Sequence, residues 1–440
     1  MLDVKFIRDN PELVKEGIAK KRADPKLVDS FLRLDEDWRT KVAAIDELRS
    51  EHNLNNTELA KHQTDDLLSK AEILKKQLIK LEDDKKDLEE RRQAKLNLIP
   101  NLPDADALLG KNETENQVIK EVGKKPEFSA KGGSAAGGDF VPKDYLSLAE
   151  KLGIIDVKRA AKVSGSRFGY LLGTAALLEF ALINFAIKRL LDEDFISEII
   201  KKNNLNISKK AFIPVIPPVL INRKSMWGMG YLDQAADEIY HLEKDDLYLV
   251  GTSEQSLGTM HQDETFKENE LPKRYVGFST CFRREAGSYG KDTKGILRVH
   301  QFNKLEMFSF TTPETSKEEH KLFLAIEEAL MQELEIPYRV MNICTGDLGA
   351  PAASKFDIEA WFPSENIYRE THSTSNCTDY QARRLNTRYK NKAGKTNFVH
   401  MVNGTVFSQR PILSIIENYQ TKEGAINIPK VLSFYFEKLK

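Results

Sequence analysis

The chain has 440 residues, 40% of them hydrophobic, which is long enough for two or three domains with packed cores. Its 66 basic and 67 acidic residues leave a formal net charge of −1, so overall charge gives no argument for nucleic-acid binding, and any such contact must come from local patches. Three widely separated cysteines without a CxxC pair predict no disulfide framework and no zinc site, and the lack of a signal-like or long apolar segment predicts a cytoplasmic protein without a membrane partner.

The first hundred residues have helical periodicity. Residues 3–22 predict a short helix, in which Asp9, Asn10 and Pro11 either cap the helix or start a new one. Two longer heptad series follow, separated by the polar break HQTDD. Their members are Phe31, Leu34, Trp38, Ile45, Leu48 and Leu59, with polar interruptions at Lys41, His52 and Asn55, and then Leu67, Ala71, Leu74, Leu78, Leu81 and Leu88. Two such helices with a short connection predict an antiparallel coiled-coil hairpin over about residues 27–95, on the order of 50 Å long.

A polar stretch separates this helical part from the rest of the chain. The helical pattern stops at residues 99–103, and polar residues that culminate in KGGSAAGGDF predict a linker. Beyond it, apolar helices alternate with short β-branched and aromatic segments, which favours an antiparallel sheet decorated with helices over a doubly wound parallel one. We therefore predict an α+β protein with a helical arm at 1–105, a linker at 106–142 and a mixed, mainly antiparallel sheet domain at 143–440. Neither a GxxxxGK[ST] nor a GxGxxG phosphate loop occurs, so a nucleotide would have to bind differently.

The most informative stretch is FRREAGSYGKDTKGILRVHQFNKLEMF, residues 282–308. It predicts a hairpin with Arg283, Arg284 and Glu285 at the end of one strand and His300, Phe302 and Glu306 on the returning strand. Cations, an aromatic ring and carboxylates around one cleft suit a nucleotide, because a guanidinium can hold a phosphate and a carboxylate at once. From composition alone, a surface hairpin whose charges are merely solvated is an equally good interpretation.

The same block closely resembles motif 2 of class II aminoacyl-tRNA synthetases, in the form found in bacterial-type seryl-tRNA synthetases. LYLVGTSEQSL at 247–257 resembles the serine-binding loop of that family, ETHSTSNCTDYQARR at 370–384 its metal and ATP segment, and NGTVFSQRPILSIIENYQ at 403–420 its motif 3. GTAALLEFALINFAI followed by FIPVIPPVL resembles motif 1, with Pro218 or Pro217 as its proline. Because the arm and the connector NLPDADALLGKNETEN are also similar, the resemblance spans nearly the whole chain.

The resemblance implies roles for the motif 2 residues. Arg283 matches the arginine that contacts both the serine carboxylate and the α-phosphate of ATP, where it stabilises developing charge. Glu285 matches the acid that reads the adenine amino group, Phe302 the ring on which adenine stacks, and Val299 a backbone contact in the same pocket. Arg284 stands where the family often has serine, so its assignment to ATP rests on position, and the alternative is a side chain that faces solvent.

The resemblance also implies a serine site. Glu306 would accept a hydrogen bond from the serine hydroxyl, and Thr405 would be the second partner of that side chain. Thr252, Ser253 and Glu254 would hold the amino acid, including its ammonium group, with Ser253 in place of the usual alanine. A site furnished for a hydroxyl leaves buried polar groups unpaired when alanine enters, at a cost of about 1–3 kcal/mol per group. Threonine must instead be excluded by size.

The segment that begins at Glu370 would hold the phosphates. Glu370 and Ser373 match the carboxylate and hydroxyl that coordinate Mg²⁺ between the phosphates of ATP, and oxygen ligands are those that this ion prefers. Thr371 and His372 lie between them and are also assigned to ATP contact. His372 departs from the family's usual small residue, and the alternative for it is a solvent-facing side chain on a strand.

Motif 3 would contribute the last phosphate ligand. Arg410 matches the arginine that contacts the γ-phosphate. Five steps separate Thr405 from Arg410, one fewer than the family pattern, whereas Arg410 to Glu417 keeps the usual interval. We therefore expect the loop at residues 406–409 to be rebuilt.

The implied activity has two steps. Serine and ATP, with Mg²⁺, form seryl-adenylate and pyrophosphate without a covalent enzyme intermediate, and serine is then transferred to the 3′ end of tRNA(Ser), and of tRNA(Sec) where that tRNA exists. In the family the arm lies against the long variable arm of the tRNA, often from the partner subunit of a homodimer. The candidate phosphate contacts on this arm are Lys20, Lys21, Arg22, Lys75, Lys76, Arg91 and Arg92. The alternative for each is a solvated helix face with intrahelical ion pairs.

Three other functions remain open at this point. A class II synthetase for threonine, proline or another amino acid would share the adenylation chemistry. A synthetase-like binding protein that has lost catalysis would explain the short loop before Arg410. A purely structural coiled-coil protein would explain only the first hundred residues.

Overall fold

The computed structural model describes residues 1–128, 140–233, 236–286 and 294–439. Most of the glycine-rich stretch of the predicted linker and the centre of the motif 2 loop therefore lie outside the described residues. The chain divides into two compact units, Met1–Leu102 and Pro103–Lys440. Among the described helices, none is both long and apolar enough to cross a membrane.

The first unit is helical, as predicted. Its helices are α1 (Val4–Asp9), α2 (Pro11–Lys20), α3 (Lys26–Leu59) and α4 (Asp65–Leu98). Of the two alternatives for the first segment, the structure has the second, in which a new helix begins at Pro11. Proline suits that first position because the amide hydrogen that it lacks would have no partner inside the helix.

The two long helices form an antiparallel pair. Near the turn, Asn55 Nδ2 donates to the carbonyl of Leu67 at 3.0 Å, and further along the pair Lys41 Nζ lies 3.1 Å from Asp84 Oδ2. The polar interruptions Lys41 and Asn55 thus join α3 to α4 in one register. Each helix has 34 residues, and Thr64 caps α4 by accepting a hydrogen bond from the amide of Leu67.

A buried acid lies within the arm unit. The side chain of Asp35 is fully buried, and its carboxylate accepts hydrogen bonds from Arg8 Nε at 2.6 Å and from Arg92 Nε at 2.7 Å. Burial opposes ionisation, but these two arginines outweigh it and lower the pKa of Asp35. Since Arg92 also lies 4.8 Å from the centre of the Trp38 ring, this predicted tRNA contact has a structural role at the base of the arm.

The second unit contains the remaining elements. The helices are α5 (Tyr145–Leu152), α6 (Val157–Ser164), α7 (Thr174–Leu190), α8 (Glu193–Lys202), α9 (Arg223–Gly228), α10 (Glu254–Thr259), α11 (Ser316–Glu333), α12 (Tyr380–Leu385), α13 (Arg410–Asn418) and α14 (Lys430–Lys438). The strands are β1 (Gln117–Val122), β2 (Ile155–Asp156), β3 (Tyr170–Leu171), β4 (Ile213–Val215), β5 (Leu220–Asn222), β6 (His241–Leu242), β7 (Leu247–Leu249), β8 (Thr265–Lys267), β9 (Lys273–Phe282), β10 (Gln301–Thr311), β11 (Tyr338–Asn342), β12 (Ser354–Phe362), β13 (Ile367–Asn376), β14 (Arg388–Lys390), β15 (Thr396–Phe398) and β16 (His400–Phe407).

Eight strands form the main sheet, in the order β1-β11-β12-β13-β16-β10-β9-β4. Neighbouring strands are antiparallel except for β4, which runs parallel to β9. The sheet is therefore mixed and mainly antiparallel, which confirms the predicted fold class. Its first strand, β1, lies in the stretch expected to be a linker, and the polar composition of that stretch did not predict it.

One face of the sheet is covered by helices. Leu178 of α7, Phe323 of α11 and Ile412 of α13 belong to a large apolar core with Leu305 and Met307 of β10. The same helix, α11, is tied to β9 by a fully buried ion pair, in which Arg274 Nη2 donates to Glu319 Oε1 at 2.5 Å. This packing leaves the other face of the central strands for polar side chains.

We expect Asp35→Ala to destabilise the helical arm by about 3 kcal/mol, because it leaves the charges of Arg8 and Arg92 without their buried partner. Urea unfolding of the full chain, followed by helical circular dichroism, measures this loss. Asp37→Ala is the matched control, since Asp37 is exposed on the same helix and should change stability by no more than about 0.5 kcal/mol. Equal stability of the two variants would contradict the assigned role of Asp35.

Candidate active site

The central strands of the main sheet carry a polar cavity. Along β10, Lys304 and Glu306 face the cavity, whereas Leu305 and Met307 pack into the core on the other face. The cavity has a volume of about 600 Å³. It is lined by these predicted site residues: Thr252, Glu254, Arg283, Glu285, Val299, Phe302, Glu306, Glu370, Thr371, Ser373, Thr405 and Arg410.

The β9–β10 hairpin forms one side of the cavity. Arg283 follows β9 directly, and its Nε donates to the carbonyl of Gly251 at 3.0 Å. Its guanidinium carbon lies 5.4 Å from the centre of the Phe302 ring, which β10 positions. Glu285 accepts a hydrogen bond of 2.7 Å from Arg298 Nη1. A guanidinium, an aromatic ring and a carboxylate therefore meet at this side, as the sequence predicted for the hairpin.

A β-bulge places two predicted ligands on the same face. Glu370 and Ser373 are three residues apart in β13, so a regular strand would direct them to opposite faces. The register between β12 and β13 shifts between Ile358 and Glu359, which leaves Thr371 as the extra residue. As a result, both Glu370 and Ser373 line the cavity.

A second bulge aligns the residues expected at the serine side chain. The register between β10 and β16 shifts between Leu305 and Glu306, which leaves Val406 unpaired and places Glu306 opposite Thr405. Both side chains line the cavity and are almost completely buried. Beyond β16 the chain reaches Arg410 at the first position of α13, so the short spacing still leaves both Thr405 and Arg410 on the cavity.

Buried charges cluster at the end of the cavity near Thr252. Lys304 Nζ donates to Thr252 Oγ1 at 3.0 Å and lies 2.7 Å from Glu306 Oε2. Burial raises the pKa of Glu306 to about 7, with Lys304 opposing this rise and Glu254 adding to it. Burial likewise raises the pKa of Glu254, whose Oε1 accepts a hydrogen bond of 2.8 Å from the Tyr231 hydroxyl. This end presents hydrogen-bond acceptors and one ammonium within a few ångströms.

Cations surround Glu370 at another part of the cavity. Arg410 Nη1 lies 3.3 Å from Glu370 Oε2 and donates to the Glu370 carbonyl at 3.0 Å. The Glu370 side chain is 49% exposed, so its removal from water is partial; this favours the protonated acid, but Arg410, Lys355 and Arg283 outweigh it and lower the pKa of Glu370 to about 2. The carboxylate is therefore ionised at neutral pH, and the three cations around it suit a polyanion such as a phosphate chain.

Glu370 and Ser373 fit a magnesium ion. Both offer oxygen atoms on the cavity face, and Ser373 lies directly opposite Asp357 on β12. Within the described residues, no group of three or more His, Cys, Asp or Glu side chains could hold a metal. A magnesium ion here would therefore take further ligands from water and from phosphate oxygens, as this ion commonly does.

Three predicted site residues do not line the cavity. Ser253 is fully buried beneath it, where its hydroxyl lies 2.7 Å from that of Ser279. Arg284 Nε donates to the carbonyl of Ile239, and its guanidinium carbon lies 4.8 Å from the Tyr240 ring centre.

The third of these residues is His372, for which a solvent-facing side chain was the alternative. That alternative is wrong, because the residue is only 1% exposed. The ring lies 2.8 Å from the Thr371 hydroxyl and packs edge-on against Phe407. Burial lowers the pKa of His372 to about 3, so the ring is neutral.

Some cavity residues were missed in the sequence. Lys304, Lys355, Tyr231 and Asn403 line the cavity although none was assigned to it. Lys304 could have been predicted from the sequence, because it lies two residues before Glu306 and must therefore face the same side of the strand. Tyr231 and Lys355 come from segments without any recognisable pattern, so only the folded chain brings them to the site.

Comparison with known proteins found two family models that match this chain. A model described as the tRNA synthetase class II core domain (G, H, P, S and T) matches residues 239–419, and one described as the seryl-tRNA synthetase N-terminal domain matches residues 1–103. A serine–tRNA ligase of Acidothermus cellulolyticus is 44% identical over 439 residues, covering 99% of this chain and 98% of that protein.

Two solved structures are similar over the full length. The seryl-tRNA synthetase of Pyrococcus horikoshii, complexed with ATP, has a TM-score of 0.87 at 42% identity and covers 99% of this chain and 98% of that one. The cytoplasmic serine–tRNA ligase of Naegleria fowleri, in complex with AMP, has a TM-score of 0.82 at 34% identity and covers 99% and 97%.

The antiparallel sheet and the cavity on its polar face, together with the core model, define a class II tRNA synthetase. The N-terminal model and the full-length relatives show which family within that class this is: the chain belongs to the seryl-tRNA synthetase family. The resemblance drawn from the sequence motifs is thereby confirmed.

Proposed function

We propose that this protein is a serine–tRNA ligase, which activates L-serine with ATP and loads it onto tRNA(Ser). The observation that carries the proposal is the cavity itself, in which Arg283 lies between a set of buried hydrogen-bonding groups and a cluster of cations. An amino acid and a nucleotide could occupy these two parts while their carboxylate and α-phosphate meet at Arg283. The similarity to full-length relatives that are named as serine–tRNA ligases or seryl-tRNA synthetases supports this proposal.

Arg283 is proposed to stabilise the charge that develops as the serine carboxylate attacks the α-phosphate. Its guanidinium offers several donors in a fixed fork, so it can hold the carboxylate and the phosphate at the same time. Adenine is proposed to stack on Phe302, with Glu285 accepting from its amino group and Val299 contributing backbone contacts. Arg410 is proposed to hold the γ-phosphate, and magnesium on Glu370 and Ser373 would supply further positive charge to the phosphates.

Selection of serine is proposed to rest on Glu306 and Thr405. They lie opposite each other on paired strands, and both are almost completely buried. A serine hydroxyl placed between them would satisfy groups that alanine would leave unpaired. Thr252 and Glu254 are proposed to bind the substrate ammonium.

ATP contacts are also proposed for Thr371, Arg284 and His372, and a place beneath the serine site for Ser253. Thr371 lines the cavity directly. The side chains of Arg284 and His372 pack elsewhere, so their contribution would come through the backbone segments that they hold in place. Ser253 would act in the same indirect way, because its hydroxyl lies against Ser279.

The helical arm is proposed to bind tRNA(Ser), and tRNA(Sec) where the cell has one. Its exposed lysines, such as Lys75 and Lys76, can contact phosphates, whereas Arg92 is occupied by Asp35.

We also propose a cytoplasmic homodimer. Among the described strands, edge strand β4 pairs only with β9, and the apolar side chains of Ile213 and Ile216 beside its open edge are 49% and 88% exposed, as a subunit interface would need.

The proposed function predicts that serine alone among the twenty amino acids supports exchange of pyrophosphate into ATP. Threonine should be excluded by size, and alanine should be discriminated against through the unpaired Glu306 and Thr405. A panel of exchange rates with each amino acid measures this. Exchange with another amino acid only would identify a different class II synthetase, and no exchange with intact tRNA binding would identify a protein that has lost catalysis.

Arg283→Ala should lower the rate of serine-dependent exchange by about 10²–10³-fold, because it removes the donors aimed at the transition-state charge. Arg283→Lys should recover only part of the rate, since it restores the charge but not the fork. Arg284→Ala should cost much less, as its side chain packs on Tyr240 outside the cavity. Near-normal exchange by Arg283→Ala would remove the central role of this residue.

Deletion of residues 28–95 should leave serine-dependent exchange intact and strongly reduce charging of tRNA(Ser). The deleted helices belong to a separate compact unit, so the catalytic cavity keeps all of its lining residues. Exchange and aminoacylation assays on the same preparation separate the two effects. Unchanged charging by the deletion variant would refute the role of the arm.

A further inference from the structure

Lys304 has contacts that join two walls of the cavity. It is 9% exposed, and its ammonium bridges Thr252 from the loop before α10 and Glu306 on β10, at 3.0 and 2.7 Å. Thr252 and Glu306 are the groups proposed above to receive the two polar ends of serine. The lysine therefore lies between the substrate contacts rather than beside them.

Two buried carboxylates meet at this end of the cavity. Glu254 and Glu306 are 7% and 1% exposed, and each interacts electrostatically with Lys304. Two such buried acids cannot both remain ionised unless cations compensate them. Lys304 and Arg283 are the cations that act on Glu254, so two carboxylates face two cations.

We propose that Lys304 is a positioning residue that keeps Glu254 and Glu306 ionised together, so that this part of the cavity has no net charge and accepts a zwitterionic amino acid. The inference rests on the proposed serine-activating function. A zwitterion, whose own charges sum to zero, can then bind beside Lys304 without adding net charge to the buried cluster.

Other titratable groups surround this cluster. Tyr231 donates to Glu254, and Glu327 of α11, Cys281 of β9 and His372 of β13 interact electrostatically with Lys304. Burial raises the pKa of both Glu327 and Cys281 and lowers that of His372, which in each case favours the neutral form. Lys304 is therefore the cation in direct contact with Glu306.

The sign of the pH effect follows from these contacts. The pKa of Glu306 is about 7, and Lys304 opposes the rise that burial causes. Removing the ammonium must raise this pKa further, so the ionised acid appears only at higher pH. Serine binding that depends on the ionised pair should then recover as the pH increases.

Lys304→Met and Lys304→Gln test the proposal in serine-dependent pyrophosphate exchange between about pH 6 and pH 9. Both variants should raise KM for serine about tenfold or more at neutral pH and move the acid limb of kcat/KM upward by about one pH unit. KM for ATP should change little. Lys355→Met is the matched control, because this lysine lines the same cavity near Glu370 and should affect ATP rather than the serine profile.

The outcomes separate charge from hydrogen bonding and from folding. A Gln variant with the wild-type profile, or an equal loss at every pH, would overturn the proposal, because the charge would then not be the cause. The same would follow if Lys355→Met shifted the serine profile equally. Bound ATP and the thermal unfolding midpoint report whether each variant is folded, and if the Met variant is not, the Gln variant, which keeps a neutral polar group at this position, decides. Absence of serine-dependent exchange in the unaltered protein would instead refute the proposed function.

Discussion

The cavity depends on one electrostatic constraint, which is that carboxylates withdrawn from bulk water remain ionised only beside cations. Glu370 shows the favourable result, since Arg410, Lys355 and Arg283 lower its pKa to about 2, although its side chain is still 49% exposed. For Glu306 the two effects are closer to equal: burial raises its pKa, Lys304 opposes the rise, and the resulting pKa is about 7. The pKa values of these two carboxylates, about 2 and about 7, thus differ widely within one cavity. That difference would allow one to serve as a constant magnesium ligand and the other to respond to its occupant.

The sheet supplies the geometry that this constraint requires. Strand alternation separates the polar cavity from the apolar core, so charged residues can face a ligand while Leu305 and Met307 stabilise the same strand. Two bulges then override alternation where the site needs it. One brings Glu370 to the face of Ser373, and the other aligns Glu306 with Thr405.

The helical arm obeys the same rule on a smaller scale. Its heptad pattern is apolar enough to predict a helical pair. At the base of the arm, however, the fully buried Asp35, which does not belong to the apolar seam, joins Arg8 and Arg92. Arg8, Arg92 and Arg39 compensate that charge, and one of them, Arg92, was predicted as a surface contact for tRNA. A periodic pattern reports which face of a helix is buried, but it does not report which charges are paired beneath it.

The sequence by itself determined the helical arm, the mainly antiparallel sheet and the family, because periodicity and ordered motifs are properties of the linear chain. Twelve of the fifteen residues that it assigned to the site, including Arg283 and Glu306, line the cavity. Only the tertiary structure decided that His372 is buried, that Arg284 packs outside the cavity and that Lys304 bridges two walls of it. The physical reason is that side-chain direction at bulges, and pairing between distant charges, depend on strand register and on neighbours that local sequence does not specify.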